Sequence, residues 1–350
     1  MMGYAKQGQN TRGRRGRGGV ACTCAHAGIH TRTYARAFIV EDVESGTRVV
    51  FVSCDTAMMG QLVKVREHTC TSTLALSSTC SSTCLQMGVT AELEQLYPGV
   101  YSETNIVLSA THTHSGPAGF MQYVLFNVPN LGFIKQTLDG LVVGITESIV
   151  RAHDSLGPGK VLLVEAEVEE QASINRSPTS YDANPAEERA RYASNLDTNM
   201  VQLNFYNAED EAIGVINWFS VHPNSMNNTN HYISGDNKGA ASAMLEKEMG
   251  PGHLAGQSPF VAAFASTNLG DVSPNTEGPR CQDTGLECDL EHSTCDGRWR
   301  SAQHAECTSG HRCASRLALG RTCSSPRGSL PSVSTSKPLH SRLLLHSRPL

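Results

Sequence analysis

Three apolar runs in this sequence end alike, and that shared ending constrains the fold more than any other feature. Asn105 to Ser109 runs into ATHTHSGP, Gly214 to Ser220 into VHPNSMNN, and Phe260 to Ala265 into STNLGDVSPN. Short runs rich in Val, Ile and Phe and bounded by Gly, Pro and Asn read as strands. Strands that hand over to polar loops are where α/β folds build their sites. The intervals carry matching signals. Ala37 to Val40 and Val49 to Val52, joined by the turn-prone Glu44 to Gly46, predict a hairpin. From Gly132 to Asp154 the residues Ile134, Leu138, Leu141, Val142, Ile145 and Ile149 recur at helical spacing, and Gly157 with Pro158 closes the segment. Further strands are expected at Val161 to Val168, Met200 to Tyr206, Ala212 to Phe219 and Pro259 to Ala265, with a helix over Lys238 to Met249. The pattern predicts an α/β fold of mixed β-sheets layered with helices in a single large domain.

A chain of 350 residues with 39% hydrophobic residues can bury the core such a domain needs. Three stretches break the pattern: Arg12 to Ala27, Arg66 to Gly88, and everything after about Gly297. The last holds nine Lys/Arg against the single acid Glu306, whereas the whole chain has a formal net charge of −5. It reads as a basic, disordered tail foreign to an acidic body. The first two are too isolated to support an RGG-type nucleic-acid tract or a glycosylated stalk, and no nucleic-acid partner is expected. No apolar run approaches the roughly 20 residues that span a bilayer, and MMGYAKQGQN lacks the apolar core of a signal peptide, so neither a transmembrane segment nor an export signal is expected in this chain. Of the 12 cysteines, only Cys281, Cys288 and Cys295 are evenly spaced. Their intervals are wider than those of structural zinc knuckles, which favours local disulfides over a metal.

The polar clusters carry the chemistry. In extended backbone the side-chain period is two, so His112 and His114 should point to one side and share or flank a metal, unless they are a structural pair. His222 leaves its strand just before Pro223. Neutral imidazoles suit zinc, and catalytic zinc sites join ligands distant in sequence while leaving one position for water, so His112 plus His222 is a sensible start. His231 and Asp236 are further candidates. The GDVSP turn either presents Ser273 as a nucleophile or substrate-binding group or is an ordinary turn with Asp271. Arg176 offers a fork of donors to an oxyanion or carboxylate, or is a surface residue.

Taken together and in order, THTHSGPAG, INRSP, ERARY, WFSVHPNSMNN, FVAAFAS and NLGDVSPN resemble the neutral ceramidase family, from Met1 to about Cys295 outside the two internal breaks. The resemblance implies zinc (Zn2+) as cofactor, with His112 and His222 as metal ligands and His114 and Arg176 as substrate-binding or oxyanion groups. Ser273 matches the family's catalytic serine. The implied reaction is hydrolysis of the N-acyl amide of ceramide, met at a membrane surface or in micelles, to a fatty acid and sphingosine. Phe120, Tyr123, Leu125, Phe126 and Phe133 would then line an apolar passage or, the reading preferred at this density, belong to the core. Intact members are secreted or held at the extracellular face of the plasma membrane, and NNT at Asn227 and NRS at Asn175 fit the glycosylation pattern. The family completes its zinc with a Glu and a Tyr far downstream and adds an immunoglobulin-like domain. The chain is therefore expected to be a truncated, inactive catalytic domain over 1–296, with insertions near 12–27 and 66–88 and a non-homologous tail over 297–350. A zinc amidohydrolase of another amide substrate, or a non-catalytic fragment, is the alternative.

Overall fold

The structure, a computed structural model, describes residues 28–64, 88–128, 130, 132–168, 172–226, 230–278, 280 and 286, and the backbone of 339–349. In chain order the strands are β1 Gly28–Ile29, β2 Tyr34–Asp42, β3 Arg48–Cys54, β4 Ile106–Ala110, β5 Gly157–Glu167, β6 Ile174–Asn175, β7 Asn199–Asn207, β8 Ala212–Phe219, β9 Tyr232–Ile233, β10 Val261–Ser266, β11 Val272–Ser273 and β12 Leu339–Pro349. The helices are α1 Gln61–Lys64, α2 Val89–Leu96, α3 Val124–Asn127, α4 Lys135–Asp154, α5 Pro178–Asp182, α6 Ala186–Arg189 and α7 Asp236–Met249.

Eight strands form one mixed sheet in the order β10-β8-β7-β5-β12-β2-β3-β4, and β1-β9 and β6-β11 are two-residue ribbons. The predicted hairpin is β2 and β3, antiparallel with Val40 opposite Val49, and Gly46 takes the left-handed φ of 66° its turn requires. Parallel pairs stand at both ends of the sheet, β3 with β4 and β8 with β10. The α/β class and the mixed sheet layered with helices are as the sequence pattern predicts.

Strand β2 shows why the sheet has two dry faces. Ala35, Ala37 and Ile39 share a cluster with Leu138, Leu141, Val142, Ile145 and Ile149 of α4, while the intervening Phe38 packs with Phe205, Ile216, Val261 and Ala263. Burying each Leu, Ile or Val of the α4 stripe contributes roughly 1.5–3 kcal/mol. At the start of the helix Ile134 N donates to Gly119 O (2.7 Å), a contact between segments 15 residues apart in the chain. Gly119 has φ +90°, and a Cβ on it would lie 2.7 Å from Ile134 Cγ1. On the far side, α7 covers Phe219, Ala262 and Phe264.

A charged group crosses this apolar interior. Arg36 of β2, 1% exposed, donates from Nε to Glu246 of α7 (2.7 Å) and from Nη1 to Asp55 just past β3 (3.2 Å). Burial opposes its charge, but Glu246 and Asp55 outweigh burial and hold the guanidinium above its ordinary value. The two ends of the sheet also converge, with Ser266 Oγ at the end of β10 donating to Thr111 O just past β4 (3.1 Å). That convergence brings together loops distant in sequence.

One expectation needs correcting. Composition predicts disorder after 297, yet Leu339–Pro349 forms β12 inside the main sheet, antiparallel to both β2 and β5. Pairing of backbone donors and acceptors with a strand on either side overrides a composition averaged over the whole tail. Among the described residues, no helix is long and apolar enough to cross a membrane.

Candidate metal-binding and catalytic site

The first histidines leave the sheet at the end of β4. Thr111 N donates to Cys54 O and His112 N to Thr56 O, so the loop after β4 stays tied to the loop after β3. His112 adopts a left-handed φ of 70°, uncommon for a residue with a Cβ. The period-two argument therefore fails locally: the two histidines meet because the chain turns at His112, not because the strand continues. His114 N donates to Pro223 O, and Thr113 Oγ1 donates to Ser234 O, which interleaves this loop with the segment after β8. On that side His222 N donates to Val272 O (2.9 Å).

His112, His114 and His222 gather with candidate ligand atoms all within 4.8 Å of one another. Their ring centroids are 5.1, 4.8 and 4.8 Å apart. His112 Nδ1 lies 2.6 Å from Ala57 O, and His222 Nδ1 lies 2.8 Å from Leu269 O. A carbonyl only accepts, so both imidazoles carry the proton on Nδ1 when neutral and keep a lone pair on Nε2. That is how proteins orient histidine ligands, and the donor set fits a metal. Burial, followed by the charges of His222, His112 and Arg176, pushes His114 down to about 3. Burial, with Arg176 and His112 adding to it and the Leu269 carbonyl opposing, pushes His222 down to about 4. Both are neutral near pH 7, the state a metal requires.

Arg176 reaches the same place by a different route. The short antiparallel pair β6-β11 sets Asn175 opposite Val272 and Ile174 opposite Ser273. Just beyond it Arg176 N donates to Asp271 O (2.8 Å) and Nη2 to Gly270 O (2.9 Å). Its charge lowers both His114 and His222, which puts the guanidinium beside the cluster. Ser273 is 4% exposed, next to the Val272 carbonyl that receives His222 N, and its Oγ accepts from Asn275 N (3.2 Å).

The sequence and the fold have counterparts among known proteins. The family model described as "Neutral/alkaline non-lysosomal ceramidase, N-terminal" matches residues 1–69 and 65–325. This chain belongs to that ceramidase family. Neutral ceramidase B of Dictyostelium discoideum is 47% identical over 274 residues, 78% of this chain and 34% of that protein. The neutral ceramidase of Drosophila melanogaster is 44% identical over 268 residues, 77% of this chain and 35% of that protein. The crystal structure of neutral ceramidase from Pseudomonas aeruginosa superposes with a TM-score of 0.63 at 40% identity, over 79% of this chain and 36% of that one. The chain thus spans about a third of the length of the relatives it matches.

Within this ceramidase fold, the five residues singled out by sequence lie close together: His112, His114 and His222 as one cluster, Arg176 against it, and Ser273 one residue from a backbone contact of His222. The two reserve candidates do not join. His231 is exposed and outside the cluster. Asp236 is buried, and its carboxylate accepts from Ser225 N, Met226 N and Asn237 N, so it shapes the loop after His222. The core reading of the aromatic stretch holds only for Phe120, which is 0% exposed, whereas Leu125 is 78% and Tyr123 57% exposed. Phe126 and Phe133 are exposed too, Phe126 lying on α3, a single turn with no buried residue. Asn175 is buried and its Nδ2 donates to Asp271 and to Asn195 O, so the folded protein presents no free amide there for a glycan. Cys281, Cys288, Cys295 and Asn227 lie outside the described residues. Sequence reasoning missed Asn237 and Lys238, both 0% exposed in the first turn of α7. The signal was available: polar residues follow Gly235 where the helix was expected to be starting.

Proposed function

We propose that the histidine cluster is the zinc end of an active site that hydrolyses the N-acyl amide of ceramide to a fatty acid and sphingosine. The single observation that carries this reading is the paired arrangement of His112 and His222, each with Nδ1 on a backbone carbonyl, so that the lone pair of each ring is on Nε2. A zinc ion held there supplies Lewis acidity, polarising a carbonyl and bringing the pKa of water down to roughly 7.

The remaining groups have separate tasks. His114 Nε2 lies 2.9 Å from His222 Nε2. With the His222 proton on Nδ1, His114 donates to the His222 lone pair in the metal-free protein; once that lone pair is given to a metal, the His114 N–H is released to serve as a neutral hydrogen-bond donor beside it. Arg176, fixed by Gly270 O, faces the negative charge that develops on the amide oxygen, and fixed donors of this kind are worth about 10²–10³ in rate. Ser273 Oγ accepts from Asn275 and keeps its own proton to donate. Among the described residues no histidine is hydrogen-bonded to Ser273 Oγ to act as base, which favours holding a substrate hydroxyl over attacking the amide.

The reading concerns the complete protein in which this segment works, with the resemblance assigning a downstream Glu and Tyr to the rest of the zinc shell. It includes a lipid substrate presented at a membrane surface or in micelles. It also includes action outside the cell or at the outer face of the plasma membrane, for which glycan analysis at Asn227 is the check.

The test compares the 350-residue chain with a form extended by downstream family sequence, measuring zinc content and hydrolysis of fluorescent ceramide beside acetylated peptides. The extended form should bind stoichiometric zinc, cleave ceramide and lose both with His112→Ala. Cleavage of the peptides in preference to ceramide would move the substrate class, and zinc retained in the His112→Ala form would remove the proposed centre.

A further inference from the structure

Strands β8 and β10 run parallel as neighbours, and their register ends with Phe219 opposite Ser266. Past that point the two chains become loops, and both bear on one imidazole. The first carries His222, and the second carries Leu269, whose carbonyl takes His222 Nδ1. The gap between these loops therefore decides whether that hydrogen bond forms and which tautomer His222 adopts.

Lys238, in the first turn of α7, sits across the point of divergence. Its Nζ donates to Phe219 O (2.7 Å) at the end of β8 and to Ala265 O (2.9 Å) near the end of β10. The side chain is 0% exposed and its ammonium lies 5.6 Å from the centre of the Phe219 ring. Burying an amine in this way is costly unless its donors are used, and here they are used on one carbonyl from each strand. The preceding residue reinforces the grip: Asn237 Nδ2 donates to His222 O (3.0 Å) and to Ser225 Oγ (3.1 Å). Further out, Ser220 Oγ donates to Asn268 O (2.6 Å), a second tie between the same two loops.

We infer that Lys238 is a positioning residue for His222, clamping the ends of β8 and β10 at the separation that lets Leu269 O hold the proton of the imidazole on Nδ1 and keep its lone pair on Nε2. It touches neither substrate nor metal and acts through the backbone of two strands. The inference rests on the proposed function only in treating His222 as a working ligand.

The test uses the 350-residue chain, metal-free, for the tautomer and the form extended by downstream family sequence for Zn2+ affinity, each with Lys238→Met, which keeps length and loses the donors, and Lys238→Gln, which keeps a shorter donor. Ring-nitrogen NMR shifts of His222 report the tautomer, chelator competition reports Zn2+ affinity, and thermal unfolding reports stability. Lys238→Met should turn a single Nδ1–H tautomer into a mixture and weaken Zn2+ binding about 10-fold or more, the size typical of lost outer-shell support, with Lys238→Gln intermediate. If Lys238→Met does not fold, the Lys238→Gln protein alone decides by the same readouts. A folded variant with a lower melting point but an unchanged tautomer and unchanged Zn2+ affinity would overturn the inference and leave Lys238 a packing residue. An unmutated extended form that binds no Zn2+ would defeat the metal reading, while the tautomer comparison in the 350-residue chain would still decide the role of Lys238.

Discussion

His114 Nε2 and His222 Nε2 lie 2.9 Å apart, each ring neutral near pH 7. Two imidazole nitrogens at that distance share one proton, and the Leu269 carbonyl decides whose it is by holding the proton of His222 on Nδ1. The two histidines are thus chemically different although both belong to the same cluster.

Mutating them should separate those roles. In the extended form, His112→Ala and His222→Ala should each lower Zn2+ affinity by at least about 100-fold, the upper range for losing even outer-shell support. His114→Ala should leave zinc bound within a few-fold and reduce kcat by about 10²–10³, as loss of a fixed donor does. Metal analysis and steady-state kinetics read the two effects independently.

Acid should destabilise the metal-free protein through the same pair. An unfolded histidine titrates near 6.5, whereas His114 and His222 in the fold are pushed down to about 3 and about 4. Between those values the unfolded chain binds more protons, so the stabilisation is complete above pH 6.5 and is lost as pH falls. The loss should reach about 2 kcal/mol for each ring by pH 5, measured as a falling denaturant midpoint. Saturating Zn2+ should shift the onset to lower pH.

The buried ion group should be expensive to break at one point. Arg36→Met leaves Asp55 and Glu246 inside the fold without their guanidinium, which should cost about 3–5 kcal/mol in a denaturant titration. Combining Arg36→Met with Asp55→Asn and Glu246→Gln should recover part of that loss.

The segment after the H-x-H motif should divide sharply by residue. Phe120→Ala removes a fully buried ring and should cost about 3–5 kcal/mol. Leu125→Ser, at a position 78% exposed, should change stability by no more than about 0.5 kcal/mol. Comparable thermal shifts for the two would contradict the exposure of α3.

Much of the fold was written in local pattern. The hairpin of β2 and β3, the helix α4 and the strands β5, β7, β8 and β10 follow from alternation or helical spacing of apolar residues, which depends only on near neighbours in the chain. The endings of β4, β8 and β10 pointed to His112, His114, His222 and Ser273 for the same reason. What the sequence could not state is how the loops meet. The left-handed turn at His112, the carbonyls of Ala57 and Leu269 that select its tautomer and that of His222, and the Lys238 bridge are backbone positions set by strand register and by the convergence of the sheet's two ends. A carbonyl has no residue identity, and composition cannot announce that Leu339–Pro349 finds a slot between β2 and β5. Sequence by itself determined which side chains were available for chemistry; tertiary structure decided their tautomers and neighbours, because both depend on hydrogen bonds between residues far apart in the chain.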